Sequence, residues 1–100
     1  MIRHIVIWRF QEHADGRTKS ENLLRAKSLL EALPDTIPDI SMFEVALNID
    51  LTADAADLVL NSEFASLREL TAYQAHPDHQ RVVEFLGKVK SEKRVIDYEF

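Results

Sequence analysis

Side chains able to do chemistry gather in one short run, Tyr73–Gln74–Ala75–His76–Pro77–Asp78–His79, and at His4 near the N-terminus. Histidine titrates near neutrality, so it can take or give a proton at physiological pH. A tyrosine hydroxyl within reach can polarise a carbonyl or hold a developing oxyanion. Such a pair supports enolisation, aldol closure or isomerisation. His79 stands one turn before Val82 and Val83 on the apolar stripe of a predicted helix and so faces inward. His4 shares a predicted strand face with Val6 and Trp8. The candidate catalytic residues are therefore Tyr73, His79 and His4, with Val6, Trp8, His76 and Leu86 as candidate substrate contacts.

The same residues admit a structural reading. His76 and His79 can satisfy backbone groups at a helix break around Pro77, and Tyr73 can bury its ring with its hydroxyl on a carbonyl. His4 can be a hydrogen-bonded core residue. His76 and His79 lie three apart with Asp78 between them, but separated ligands on one helical face with a clear carboxylate are missing, so no metal site is expected. His13 falls in a polar loop and reads as solvated. With no cysteine there is no thiolate nucleophile, disulfide or Cys-ligated metal, and there is no Gly-rich phosphate loop or serine nucleophile elbow. No cofactor is expected.

Charge narrows the partners. The 100 residues carry 17 acidic and 12 basic side chains, a formal charge of −5. Nucleic-acid binding draws most of its affinity from phosphate neutralisation, and the basic residues are scattered among acids. The one basic run, Lys88 to Arg94, contains Glu92 and reads as a helix C-terminus followed by a solvated turn. No apolar run approaches the roughly 20 residues that span a bilayer. The first stretch is too short and too alternating for a conventional signal peptide. The expectation is a soluble, cytoplasmic protein with no nucleic-acid or membrane partner.

The elements that must position these residues follow from periodicity. Ile2 to Phe10 alternates, with Ile2, His4, Val6, Trp8 and Phe10 on one face and Ile5 and Ile7 on the other, so both faces need cover. Asp15–Gly16 marks a turn. Thr18 to Glu21 fits a capping box that opens a helix striped by Leu23, Ala26, Leu30 and Leu33 and stopped by Pro34. Ile40 to Ile49 and Asp57 to Phe64 alternate as strands around a loose loop. Ser66 to Glu69 fits a second capping box for a helix to about Ala75, and Pro77 suits the first turn of another. That helix carries His79, Val82, Val83, Leu86 and Val89, with Gly87 predicting fraying or a bend. Lys93 to Phe100 alternates again.

The order is β-α-β-β-α-β with the second helix broken in two. This is an α+β, ferredoxin-like arrangement with an antiparallel four-stranded sheet and both helices on one side. Ile5, Ile7, Val59 and Val95 are expected on the other side, where a second copy of the sheet is the simplest cover. The expectation is one domain over residues 1–100 that forms a homodimer.

The stretches Ser62–Glu63–Phe64–Ala65–Ser66–Leu67 and Ala72 to Gln80 resemble the stress-responsive A/B barrel (Dabb) family. So do Ile2–Arg3–His4–Ile5–Val6, Leu33–Pro34, Phe43 to Asn48 and Asp97–Tyr98, which extends the resemblance over the whole chain in the right order. It implies a dimeric α/β barrel with two sheets back to back, and it does not imply one activity. In a plant polyketide cyclase of this family a Tyr and a His at the motif catalyse an aldol closure without a cofactor. Tyr73 and His79 stand at the matching positions, and His4 matches a further pocket histidine. The resemblance points to a cofactor-independent cyclase-, isomerase- or lyase-like enzyme acting on a small apolar carbonyl compound. The alternative is a non-catalytic, stress-related or ligand-binding homodimer. Trp8 would suit a barrel monooxygenase, but no accompanying motif supports that reading.

Overall fold

The alternating residues Ile2–Phe10 form β1, which lies inside the sheet and hydrogen-bonds a strand on each side. The computed structural model describes residues 1–100. With β4 (Ile40–Leu47), β5 (Leu58–Phe64) and β6 (Lys90–Glu99), β1 builds an antiparallel sheet in the order β4-β5-β1-β6. A separate two-residue hairpin, β2 (His13–Ala14) and β3 (Arg17–Thr18), turns at Asp15 and Gly16. Their φ values of 53° and 75° are those of a type I′ turn, which glycine adopts without strain.

Helix α1 (Lys19–Glu31) starts at the predicted capping box. Thr18 Oγ1 accepts the Glu21 amide at 3.3 Å, and the Glu21 carboxylate accepts the Thr18 amide at 3.0 Å. Its inner face differs by one position from the predicted stripe. Asn22 is fully buried while Leu23 is only half-buried, because the Asn22 amide donates to the Ala14 carbonyl at 2.9 Å and ties the hairpin down. A 3-10 turn at Leu33–Asp35 ends this segment at Pro34.

The second helical segment is broken as expected. Helix α2 (Leu67–Ala75) is capped by Ser66, whose Oγ accepts the Arg68 amide at 3.2 Å; Glu69 meets the Ser66 hydroxyl, so the reciprocal box is only partly formed. Helix α3 (Pro77–Val89) continues through Gly87, where nothing crowds the backbone, and ends at Lys90, whose amide donates to the Leu86 carbonyl. The strand that follows starts at Lys90, where the sequence suggested a solvated turn.

One side of the sheet packs under the helices. Val6, Trp8, Leu60 and Phe64 meet Leu30 and Val82 there, within a core of 18 buried apolar residues. The other side carries Ile5, Ile7 and Val59 as expected. Val95 is not among them. It pairs with Val6 and faces the helices, while Ile96, paired with Ile5, and Tyr98, paired with Arg3, take the open side. Residues of both parities in β6 are apolar, so alternation alone could not choose its face; pairing with β1 does. Ile96 is 58% and Tyr98 40% exposed. No helix is long and apolar enough to cross a membrane.

Candidate functional site

His4 sits near the start of β1, opposite Ser62 of β5 and Asp97 of β6. Both neighbours hold it. The Ser62 hydroxyl donates to the His4 carbonyl at 2.8 Å, and His4 Nδ1 is hydrogen-bonded to the Asp97 carboxylate. A carboxylate accepts, so Nδ1 carries the proton and the ring orientation is fixed, with Nε2 left for other contacts.

Tyr73 and His79 come together because of the helix break. A residue before proline avoids the helical conformation, and His76 is extended at φ −65° and ψ 137°. The chain therefore turns between the last turn of α2 and the first turn of α3. His79 then lies over the Tyr73 ring with centroids 4.4 Å apart, and His4 meets the same ring edge-on at 6.3 Å. Phe64 and Phe43 pack on Tyr73 at 5.0 and 5.9 Å, completing the aromatic seat.

The break also assigns the proton on His79. Its Nδ1 is 3.0 Å from the Gln74 carbonyl, freed at the end of α2. A carbonyl only accepts, so Nδ1 is protonated and Nε2 holds the lone pair. Burial lowers the His79 pKa; the Gln74 bond opposes this, and the charge of Lys93 adds to the lowering. At neutral pH the ring is uncharged and basic at Nε2. Burial alone pushes the Tyr73 phenol far above its ordinary value, so it stays a neutral O–H donor. The structural reading of His79 holds, and Nε2 has no hydrogen-bond partner within the chain.

These groups face a cavity of about 100 Å³ between sheet and helices, walled mainly by apolar side chains. His4, Tyr73, His79, Val6, Trp8 and Leu86 all line it. His76 does not. It caps α3, with its Nδ1 accepting the Asp78 amide at 3.0 Å, so the pre-proline position that was read as a substrate contact is spent on the backbone. The cavity is smaller than the roughly 300–1,000 Å³ that hold drug-sized ligands. No three His, Asp or Glu side chains cluster as metal ligands would. Several wall residues were not picked out from the sequence: Gln74, Lys90, Lys93 and Val95, with Asp97 behind His4.

A ferredoxin-like α+β domain with a small, mostly apolar pocket under its helices is the class that fold and site define. The chain belongs to the stress responsive A/B barrel domain (Dabb) family, which matches residues 2–100. An uncharacterized protein of Streptomyces coelicolor is 33% identical over the full length of both chains. A stress-response A/B barrel domain-containing protein of Arabidopsis thaliana is 36% identical over 84% of this chain. The chain spans only about 30% of the length of that plant relative. Among solved structures, a dimeric ferredoxin-like protein of unknown function from Bacteroides fragilis is 30% identical, with a TM-score of 0.84 over 99% of this chain and 95% of that one.

Proposed function

We propose that the protein is a cofactor-independent enzyme acting on a small, largely apolar carbonyl compound, working as a homodimer in the cytoplasm. The observation that carries this is the hydrogen bond from His79 Nδ1 to the Gln74 carbonyl, which leaves a neutral imidazole with its Nε2 lone pair beside Tyr73 in an apolar cavity. Tyr73 donates to the carbonyl oxygen, and His79 Nε2 removes a proton from the adjacent carbon. The C–H electron pair moves into the new enolate, whose oxygen the Tyr73 hydroxyl holds. The enolate then attacks a second carbonyl, expels a leaving group or is reprotonated at another carbon. His4, clamped by Asp97, is the second proton carrier on the wall, and Val6, Trp8 and Leu86 exclude water.

The dimer rests on the apolar open face of the sheet and on the dimeric Bacteroides fragilis structure. The cytoplasm fits a chain without cysteine and with no helix able to cross a membrane.

Proton abstraction can be followed without knowing the natural substrate, as exchange of the α-hydrogens of 2-butanone for deuterium. The wild type accelerates exchange, and His79→Ala and Tyr73→Phe lose about 10²–10⁴-fold of that acceleration while keeping their fold. The rate climbs with pH through a value below about 6.5, where His79 becomes neutral, and stays level past the ordinary tyrosine range. Binding of the ketone with no exchange in any variant would instead make the protein a non-catalytic ligand carrier.

A further inference from the structure

The cavity wall is charged in a way the chain as a whole is not. The protein carries a formal charge of −5, yet the wall bears Lys90 and Lys93 and no Asp or Glu. Neither ammonium takes part in any of the ion pairs the chain forms. Asp97 faces the same side of β6, but its carboxylate is held by His4.

Strand irregularity puts the two lysines together. Residues three apart on a regular strand point to opposite faces. Between Lys90 and Lys93 the register slips: Arg9 pairs with Glu92 and Phe10 with Lys90, leaving Ser91 as the extra residue of a β-bulge. The Ser91 hydroxyl is fixed on the Arg9 carbonyl at 3.2 Å. Phe10 and Trp8 both face the helices, and their partners Lys90 and Lys93 face the same way. Lys90 is half-buried and Lys93 exposed, which fits stems lying along the apolar wall with ammonium groups at its rim.

Resting on the reading of the site as a carbonyl pocket, we infer that the substrate also carries a carboxylate, held by Lys90 and Lys93 while its carbonyl lies at Tyr73 and His79. The substrate class is then a small oxo acid. The lysines hold and orient the anion, and they take no part in proton transfer.

The test compares 4-oxopentanoate with 2-pentanone, the same five-carbon chain without the carboxylate, in NMR titrations that follow the His79 and Tyr73 ring signals. The wild type binds the acid about tenfold more tightly than the ketone, and added salt erodes that preference. Lys90→Met with Lys93→Met, which keeps apolar stems, loses the preference because acid binding weakens by about tenfold. Each single variant is titrated too, in case the pair disturbs β6, and loses part of the preference. Equal binding of the two compounds by the wild type overturns the carboxylate site and leaves the carbonyl pocket standing. So does a preference that survives in the lysine variants. If neither compound shifts the ring signals, the carbonyl pocket fails and the carboxylate site with it.

Discussion

Alternate residues of the same four strands build the two faces of the sheet, and the two faces have opposite characters. Under the helices, Phe64, Leu58, Leu60 and Tyr73 are at most 1% exposed, and the polar groups admitted there, His4 and Ser62, are hydrogen-bonded. On the open side, Ile5, Ile7, Ile96 and Tyr98 lie around the Arg3–Glu63 ion pair, with much of their surface bare. A buried face can hold a histidine in one tautomer and strip water from it, which is what proton transfer needs. A flat, half-apolar face can do neither; it can join another such face. In the proposed function, chemistry and assembly are therefore separated by one residue of strand register.

The helix-covered face depends most on Phe64, which seats Tyr73. Phe64→Ala should cost about 3–5 kcal/mol in urea unfolding, because a rigid cavity replaces a fully buried ring. A loss under about 1 kcal/mol would mean that the helix face is loosely packed. Next comes the open face. Ile5→Asp combined with Ile96→Asp should weaken the dimer by about 3 kcal/mol, roughly a hundredfold in dissociation constant, read by analytical ultracentrifugation. The ring signals of Tyr73 and His79 should stay in place. A dimer indifferent to both charges would move assembly to another surface. The smallest effect belongs to a site outside both faces. Thr18→Ala removes the α1 cap and should cost about 1 kcal/mol by thermal unfolding, without altering the dimer or the pocket.

Legibility in the sequence followed the strength of local pattern. In β1 every other residue from Ile2 to Phe10 is apolar or His4, and the structure keeps that division. The Thr18–Glu21 box and the Pro77 break are written in residue types whose backbone preferences are strong, so α1 and the α2–α3 junction appear where expected. β6 was harder because Val95 and Ile96 are adjacent and equally apolar; only pairing with β1 sets its face. Lys90 and Lys93 were read within a basic helix end and solvated turn, with Lys93 also opening the last alternating segment, since their odd spacing hides the bulge at Ser91 that aligns them. His76 and His79 belong to one motif, yet one caps a helix and the other lines the cavity. Residue type could not divide those roles, because they depend on which backbone group each ring nitrogen reaches.

The proposed proton transfer needs a neutral His79 whose Nε2 is free, and nitrogen-15 NMR of the imidazole reads that state directly. The spectrum should show Nδ1 protonated and Nε2 bare at pH 7, with a titration midpoint below about 6.5. Protonation of Nε2 in the neutral ring, or a midpoint at or above that value, would contradict it.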